Sequence, residues 1–416
     1  MANKITKQPE IRFKEFNNDW EQRKLKDVTN HRGGTAIEKY FSDEGKYKVI
    51  SIGSYGLDSK YVDQKIRAIS NEITDGRTVK KGELTMVLND KTANGTIIGR
   101  SLLIEEDDKY VINQRTEIVS PLKDFDSSFA YVILNNSFRE KVRKIVQGGT
   151  QIYVNYSAVE NLSLEIPSLE EQQKIGAFFK SLDDTIALQN CKLEEMQLYK
   201  KAMLQKMFPK NGEKAPEIRF DGYNDDWEQR KLKDVTNHRG GTAIEKYFSD
   251  EGKYKVISIG SYGLDSKYVD QKIRAISNEI TDGRTVKKGE LTMVLNDKTA
   301  NGTIIGRSLL IEEDDKYVIN QRTEIVSPLK DFDSSFAYVI LNNSFREKVR
   351  KIVQGGTQIY VNYSAVENLS LEIPSLEEQQ KIGAFFKSLD DTIALQNNKL
   401  NKLKEMKKAL LQKMFV

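Results

Sequence analysis

The stretch GGTQIYVNYSAVENLSLEIPSLEEQQKIGAFFKSLDDTI occupies residues 148–186 and returns unchanged at residues 355–393. It joins a glycine turn, a short strand of alternating apolar and polar residues, and a helix start that follows Pro167. The stretch belongs to a longer repeat, because the 172 residues 19–190 recur without a substitution as residues 226–397. One unit used twice in one chain predicts a pseudo-twofold molecule, and such a molecule should meet a target that is itself repeated.

A long helix is predicted to start at Ser168. Ser168 is a good N-cap residue, and Glu171 follows it by three positions, so the two predict a capping box. Apolar residues then recur at three- and four-residue steps for about five heptads, which is typical of a coiled-coil seam. The seam residues are Ile175, Phe179, Leu182, Ile186 and Leu193 in the first copy, and Ile382, Phe386, Leu389, Ile393 and Leu400 in the second.

Two observations refine this seam. The polar residues Gln189 and Lys200 fall on the same stripe, and polar residues on a seam can set its register and partner number. A single helix that lies on its own domain fits the length poorly, since roughly 40 residues make a rod of about 60 Å. Pairing of two antiparallel rods is therefore the preferred prediction.

The segment before each long helix predicts a globular domain. Residues 20–166 contain short β-rich runs that turn clusters separate, which indicates mixed α/β structure. One amphipathic helix is predicted over 127–146, with Phe138 and Val142 facing inward and Arg139 facing outward. We predict an α+β fold: two globular mixed α/β domains separated by two long helices that form an antiparallel coiled coil, with a pseudo-twofold and circular organisation.

The chain thus divides into six predicted parts. Residues 209–225 contain Pro, Gly and Lys and are typical of a linker, and the run PEIRF within them repeats the PEIRF of the N-terminal leader. The parts are a leader (1–18), a first globular domain (19–166), a first long helix (167–208), a linker (209–225), a second globular domain (226–373) and a second long helix (374–416).

Composition limits the class of protein. Charged residues make up 30% of the chain, the net charge is +4, and no apolar run approaches the roughly 20 residues that span a bilayer. This balance predicts a soluble protein and permits nucleic-acid binding without demanding it. The single cysteine, Cys191, excludes an intrachain disulfide and fits a reducing cytoplasm, and its counterpart Asn398 indicates that the thiol is incidental.

Residues for catalysis are missing from the sequence. His31 and His238 are the only histidines and cannot build a Cys/His zinc site with one cysteine. The glycines at 95–99 lack the Lys-Ser/Thr of a phosphate-binding loop, and Gly53-Ser54-Tyr55-Gly56 lacks the spacing of a nucleophile elbow. The chain is predicted to be non-catalytic.

The quoted stretch resembles the specificity (S) subunits of type I restriction-modification systems. The shared features are the Gly-Gly-Thr-Gln turn, the strand that ends in Ile-Pro, the Leu-Glu-Glu-Gln helix start and the Leu-Asp-Asp-Thr-Ile step. The leader PEIRF…DWEQRKLKDV, the pair Asn113-Gln114 and the helix ends KKAMLQKMF and KKALLQKMF also match. Together these features occur in the same order in both halves, so the resemblance spans nearly the whole chain.

The resemblance implies a function and partners. It implies two target-recognition domains that each read a short half-site of double-stranded DNA, and an antiparallel coiled-coil spacer formed by two conserved helical regions. It also implies docking of two methyltransferase (M) subunits, with motor and nuclease (R) subunits added for cleavage. No cofactor is expected in this chain; S-adenosylmethionine is expected on the M subunits, and ATP and Mg on the R subunits.

The family usually has two different recognition domains, whereas here they are identical. Antiparallel helices would relate them by a twofold axis, so we predict a palindromic target with two reverse-complementary half-sites around a fixed gap. Two other interpretations stay open. One is a self-sufficient DNA-binding regulator that uses the helices as a spacer, and the other is a structural coiled-coil scaffold.

Candidate DNA contacts lie on predicted loops that combine glycines with amide, aromatic or cationic side chains. Each candidate segment also has an alternative interpretation that involves no DNA contact. These alternatives are a tight turn at 148–156, a polar loop at 30–35, a hairpin turn at 89–95 and a satisfied buried network at 113–115. The residues Lys141, Arg143 and Lys144 are expected to form a solvated helix face. The candidates are Arg32, Lys91, Asn94, Arg115, Gln151, Tyr153 and Asn155 in the first copy, and Arg239, Lys298, Asn301, Arg322, Gln358, Tyr360 and Asn362 in the second.

Overall fold

The computed structural model describes residues 8–210, 212–298 and 300–416. The first seven residues of the predicted leader and one residue of the predicted linker, at position 211, lie outside the described residues. The chain forms two compact units, residues 1–190 with 398–416 (unit 1) and residues 191–397 (unit 2). Among the described residues, no helix has the length and apolar character needed to cross a membrane.

Over its described residues, unit 1 contains thirteen strands and four short α-helices before its long helix. The strands are β1 (Glu21–Lys24), β2 (Thr29–Gly33), β3 (Tyr47–Ile50), β4 (Arg67–Ala68), β5 (Thr78–Val79), β6 (Leu84–Val87), β7 (Asn89–Asp90), β8 (Ser101–Leu103), β9 (Tyr110–Ile112), β10 (Thr116–Pro121), β11 (Gln147–Gly148), β12 (Ile152–Tyr153) and β13 (Ser163–Ile166). The helices are α1 (Glu72–Asp75), α2 (Ser127–Leu134), α3 (Ser137–Arg143), α4 (Tyr156–Val159) and the long α5 (Leu169–Lys206), whose second half belongs to unit 2.

The strands of unit 1 form four small sheets. Two four-stranded sheets have the orders β2-β10-β6-β8 and β4-β3-β9-β5, a three-stranded sheet has the order β11-β12-β7, and β1 pairs with β13. All pairs are antiparallel except β3 with β9. The β1–β13 pair places the end of the leader beside the strand that enters α5.

Three apolar cores stabilise the described part of unit 1. The larger core lies under the sheet of β6 and β10 and includes the rings of Trp20, Phe129 and Phe138. A smaller core joins apolar residues of both four-stranded sheets, among them Ile50 and Ile118. Because the three-stranded sheet contributes Ile152 to the larger core, its opposite face is left for solvent or a partner.

The predicted helix over 127–146 is two helices, so this prediction is wrong. The chain leaves the helical conformation at Asn136, which has φ −116° and ψ −112°, and α3 restarts at Ser137. The side chain of Asn135 replaces the lost helical bonds, because its amide accepts from Ser101 N and donates to Ser101 O, each at 2.9 Å. The restart changes the helical phase, so Arg139, predicted to face outward, is 8% exposed.

The start of α5 explains why the Leu-Glu-Glu-Gln run has its composition. Ser168 Oγ accepts from Glu171 N at 3.4 Å, but the carboxylate of Glu171 does not return to Ser168 and instead accepts two hydrogen bonds from Arg12, at 2.7 and 2.8 Å. Only half of the predicted capping box is therefore formed. Gln172, which is 1% exposed, accepts from Asp126 N and donates to Asp124 O and Pro167 O. The run serves the fold by joining leader, globule and helix.

Within unit 1, the start of α5 runs antiparallel to the end of α11 (Leu376–Lys413). Asp183 forms an ion pair with Lys407, and Phe179, earlier in α5, contacts Phe415, later in the chain, with ring centroids 6.0 Å apart. Phe415 also contacts Trp20 and Phe129, at 6.0 and 5.9 Å. The antiparallel pairing of the two long helices is confirmed here, and the C-terminus completes the core of this unit.

The seam residues do more than pair helices. Ile175, Phe179 and Leu182 are buried in the larger core of unit 1, and Ile186 packs at its edge. The first half of α5 thus lies on its own globule as well as on α11. The length of the helix disfavoured the alternative interpretation that it lies on its own domain. For this half of α5 that alternative is nevertheless correct.

Unit 2 repeats these elements. Its strands are β14 (Glu228–Lys231), β15 (Thr236–Gly240), β16 (Tyr254–Ile257), β17 (Arg274–Ala275), β18 (Thr285–Val286), β19 (Leu291–Val294), β20 (Asn296–Asp297), β21 (Ser308–Leu310), β22 (Tyr317–Ile319), β23 (Thr323–Pro328), β24 (Gln354–Gly355), β25 (Ile359–Tyr360) and β26 (Ser370–Ile373). Its helices are α6 (Leu232–Val235), α7 (Glu279–Asp282), α8 (Ser334–Asn342), α9 (Ser344–Arg350) and α10 (Tyr363–Val366), followed by α11.

In unit 2 the equivalent residues form the same helix contacts, but the roles of α5 and α11 are exchanged. Lys200 of α5 forms an ion pair with Asp390 of α11. Phe208, which follows α5, contacts Phe386, Trp227 and Phe336 at 6.0, 6.0 and 5.9 Å. Each unit therefore contains the end of the long helix that begins in the other unit.

Candidate nucleic-acid interface

Two of the predicted loops meet on the three-stranded sheet of unit 1. In this sheet Tyr153 of β12 pairs with Gln147 of β11 on one side and with Asn89 of β7 on the other. Because Ile152 points into the core, Tyr153 points outward, and it is 40% exposed. The row Gln147–Tyr153–Asn89 therefore presents two amides and one aromatic ring on the outer face.

The glycine turn of the quoted stretch connects β11 and β12. Gly148 has φ +99°, and a Cβ there would lie 2.2 Å from Gln151 O, so the turn requires glycine at this position. Gln151 at the tip and Asn155 after β12 are exposed. The second tyrosine, Tyr156, is buried and lies against His31, with ring centroids 4.6 Å apart. The turn thus exposes Gln151 and Tyr153, whereas Tyr156 packs on the domain.

Two buried charged residues shape the loop that carries Lys91 and Asn94. Asp90, 3% exposed, accepts from Thr92 N and Thr92 Oγ1 with one oxygen and from Ile97 N with the other, all at 2.9 Å. Arg139 donates from below to Ile98 O, Gly95 O and Thr96 O at 2.9, 3.1 and 2.8 Å. Burial lowers the pKa of Arg139 to about 10, which leaves the guanidinium charged at neutral pH. The loop is consequently held in one shape, with Lys91 and Asn94 exposed.

Arg115 joins this face from the neighbouring sheet. Its backbone has φ +66°, a conformation that is strained for a side chain other than glycine, and its carbonyl accepts from Leu88 N at 3.0 Å. With the Asn89 amide turned so that Oδ1 faces the guanidinium, Arg115 Nη1 donates to it at 3.1 Å while Asn89 Nδ2 donates to Leu88 O. Arg115 is exposed and, among the described residues, forms no ion pair with a carboxylate. Asn89 therefore holds the guanidinium in position, but no carboxylate neutralises its positive charge.

The residues before Arg115 form the buried network that was its alternative interpretation. Asn113, 7% exposed, accepts from Ile37 N and Gln114 N and donates to Glu38 Oε1 at 3.0 Å. Gln114 Nε2 donates to the same oxygen at 2.9 Å. Hydrogen bonding from Asn113 is the main cause that lowers the pKa of Glu38, so this carboxylate is ionised at neutral pH. The alternative interpretation is therefore correct for Asn113 and Gln114, which belong to the network, whereas Arg115 lies outside it.

Arg32 does not join the loop face. Residues 29–33 form strand β2 rather than a polar loop, and the Arg32 guanidinium binds both oxygens of Glu83 at 2.8 and 2.7 Å. The counterpart Arg239 binds Glu290 and Thr285 O. These partners already engage the guanidinium groups, so DNA contact by Arg32 or Arg239 stays a prediction without geometric support.

The neighbouring His31 is part of a small acidic cluster. Its Nδ1 lies 2.6 Å from Glu117 Oε1, and its Nε2 lies 3.6 Å from Glu160 Oε2. Burial raises the pKa of Glu117, against the lowering effect of the His31 hydrogen bond. This cluster links strand β2 to β10 through Glu117 and to the end of α4 through Glu160.

The helix face at 141–144 is only partly solvated. Lys141 donates to Ser163 O at 2.8 Å and pairs with Glu165, while Arg143 pairs with Glu140. Lys144 is exposed. Lys141 thus serves the packing of α3 on β13.

The equivalent face of unit 2 contains a groove. Lys298, Arg322, Gln321 and Glu245 line it together. Tyr360 is 40% exposed on β25, and Asn301, Gln358 and Asn362 are exposed beside it. Twelve of the fourteen predicted contact residues are thus exposed, six in each unit, whereas Arg32 and Arg239 are half-buried and paired with Glu83 and Glu290.

Sequence reasoning missed Glu38 and Gln147, and it included Asn89 only as part of the candidate loop 89–95. Gln147 and Asn89 flank predicted residues, so period-two alternation in short strands could have placed them beside Tyr153. Glu38 lies 75 positions before Asn113, and only the fold brings the two together. In the described ranges, no group of three or more His, Cys, Asp and Glu side chains is placed to hold a metal ion.

Comparison with known families and relatives gives a consistent result. The sequence model described as "Type I restriction modification DNA specificity domain" matches residues 17–198 and 224–405. The MjaVIII type I restriction enzyme specificity subunit of Methanocaldococcus jannaschii is 23% identical over 407 residues, which cover 94% of this chain and 91% of that one. The HindI specificity subunit of Haemophilus influenzae is 27% identical over 199 residues, 46% of this chain and 41% of that one.

Solved structures agree on the fold. The crystal structure of a type I restriction-modification S subunit from M. genitalium aligns with a TM-score of 0.65 at 15% identity, over 98% of this chain and 99% of that one. A chain from a structure on complex assembly and conformational transition of the type I R-M system aligns with a TM-score of 0.53 at 15% identity, over 95% and 97% of the two chains. The fold that the sequence predicted is confirmed by these likenesses.

Proposed function

The chain belongs to the type I restriction-modification DNA specificity domain family, and we propose on this basis that it is the non-catalytic specificity subunit of a type I restriction-modification complex. The observation that carries the proposal is the double match, which covers both copies of the repeat and both long helices in large part. In this role the chain selects the DNA sequence, and partner subunits perform the chemistry. The proposed recognition domains are residues 19–166 and 226–373.

The geometry of each unit supports base reading by the loop face. Amide side chains read adenine through bidentate hydrogen bonds, arginine reads guanine, and an exposed aromatic ring adds apolar contact area. Gln151, Tyr153 and Arg115 offer these groups on one face, with Lys91 beside them for phosphate contact. A rigid scaffold beneath the loops, built by Asp90 and Arg139, limits the entropy lost on binding.

The proposed partners are double-stranded DNA, two methyltransferase subunits, and restriction subunits. Apolar side chains that unit 2 leaves on its long helices support docking of a partner there, since Leu198 and Leu395 are each 66% exposed. The spacer helices are proposed as the docking elements for the methyltransferase subunits. Localisation in the cytoplasm, where such a complex meets DNA, is part of the same proposal.

Identical units lead to a specific proposal about the target. Each unit presents the same residues in the same conformation, so each should bind the same short sequence. Antiparallel helix pairing within both units supports opposite reading directions. We therefore infer a palindromic bipartite target: one half-site, read twice, around an unspecific gap.

Co-expression with the methyltransferase subunit of the same system tests the function. We expect the two proteins to co-purify, adenine methylation to appear at one motif only when both are present, and DNA affinity to fall steeply as salt rises. A self-sufficient regulator would bind its motif equally well without the methyltransferase. A scaffold would show no salt-dependent DNA affinity. Either outcome would contradict the proposal.

A further inference from the structure

An ionised carboxylate lies inside the face that is proposed to meet DNA. Glu38 Oε1 accepts hydrogen bonds from Asn113 Nδ2 and Gln114 Nε2, at 3.0 and 2.9 Å. Neither amide binds Oε2, and among the described residues no lysine or arginine forms an ion pair with Glu38. In unit 2 the counterpart Glu245 lines the same groove as Lys298 and Arg322. The two amides thus fix one oxygen, and no cationic side chain neutralises the charge of the carboxylate.

A carboxylate in the face that is proposed to meet DNA is unfavourable for contact with the DNA phosphates. DNA carries one negative charge per ~1.7 Å of helix axis, so a fixed negative charge in the binding face repels the phosphates. The repulsion is offset where the carboxylate meets a hydrogen-bond donor on a base edge. In the major groove Glu and Asp accept from the N4 amino group of cytosine, and Arg donates to O6 and N7 of guanine.

Arg115 is held in a way that complements Glu38. Gln114, the neighbour of Arg115, binds Glu38 directly, so the carboxylate is held against the short loop that carries the guanidinium. The left-handed backbone of Arg115 is strained, and such strain persists where the surrounding structure enforces it. Here Leu88 N holds the carbonyl and Asn89 holds the guanidinium. One acceptor and one forked donor therefore face the same groove in fixed positions.

We propose that Glu38 and Arg115 in unit 1, and Glu245 and Arg322 in unit 2, read a G·C base pair in each half-site. Arg115 donates to guanine O6 and N7, and Glu38 Oε2 accepts from cytosine N4. The inference rests on the proposed function and adds to it the class of base pair that this groove selects. It makes Glu38 a specificity-determining residue and leaves phosphate contact to Lys91.

The test is Glu38→Gln in the full chain, co-expressed with its methyltransferase subunits, with the methylated motif mapped by sequencing. The amide oxygen of Gln keeps the acceptor for Asn113 and Gln114, while the charge is removed. We expect the preference for G·C at one position of one half-site to fall by a factor of about ten, the order of discrimination that one good base contact supplies. The other half-site should keep its sequence. Glu106→Gln, which removes an exposed carboxylate paired with Lys109, is the matched control and should leave the motif unchanged.

The outcomes separate this inference from the function on which it rests. A wild-type motif without a G·C pair in its half-sites overturns the inference, as does a Glu38→Gln motif identical to the wild-type motif. If Glu38→Gln does not fold, as judged by circular dichroism, Arg115→Lys replaces it. That variant keeps the charge but loses the forked donor, so the same position should relax, and an unchanged motif overturns the inference. A wild-type chain that directs methylation to no motif contradicts the proposed function instead.

Discussion

At the scale of single residues, the face of each unit combines side chains that are proposed to contact DNA with side chains that only position them. Arg139 belongs to the second kind, because its three hydrogen bonds all go to carbonyls of the loop that follows Lys91. We expect Arg139→Met to destabilise unit 1 by about 2–4 kcal/mol, since three carbonyls lose buried donors. Chemical unfolding measures this. Arg143→Met, which removes an exposed arginine paired with Glu140, is the control and should change stability by no more than about 0.5 kcal/mol. Equal stability of the two variants would contradict a positioning role for Arg139.

We propose that Gln151 contacts DNA, because it is exposed at the tip of the glycine turn. Gln151→Ala should change the preferred bases of one half-site, and Gln151→Ala with Gln358→Ala should change both half-sites in the same way. Loss of one bidentate contact is expected to relax one position by about 1–3 kcal/mol. Selection of bound sequences from a random DNA library by the assembled complex reads out the change. A double variant with wild-type preferences would exclude base reading by these glutamines.

At the scale of elements, each globular core depends on the tail of a long helix from the other half of the sequence. Phe415 is 7% exposed between Trp20, Phe129 and Phe179, and Phe208 occupies the equivalent place in unit 2. Phe415→Ala should cost unit 1 about 3–5 kcal/mol, the usual cost for a buried phenylalanine. Because the two units are otherwise alike, calorimetry should show one transition split into two. Adding Phe208→Ala should merge them again at a lower temperature.

The control for this experiment is Leu188→Ala, since Leu188 is 54% exposed on α5 and its loss should leave the transition nearly unchanged. A Phe415→Ala variant with the wild-type calorimetric profile would show that the C-terminal residues do not support the core of unit 1.

The elements also show where sequence reasoning reached its limit. The seam from Ile175 to Ile186 and the antiparallel pairing could be predicted, because period and length are local properties of the chain. The break at Asn136 could not, since the interruption depends on a distant partner, Ser101. The partner of Glu171 could not be predicted either, because its carboxylate accepts hydrogen bonds from Arg12 of the leader, 159 positions away. At the loop face, Gln151 and Tyr153 could be predicted from turn chemistry, whereas Glu38 could be recognised only through its contact with Asn113.

At the scale of the whole molecule, the exact repeat is the property from which we infer the palindromic target. Residues 19–190 and 226–397 are identical, and the two units form equivalent helix contacts, Asp183 with Lys407 and Asp390 with Lys200. Neither unit has a residue on its loop face that the other lacks, so a difference between the two half-sites would have no source in the recognition domains.

Mapping of methylated adenines in cells that carry this chain with its own methyltransferase subunit tests this central claim most directly. We predict a single bipartite motif whose second half is the reverse complement of the first, with a gap of constant length. A motif with two different half-sites would contradict the account.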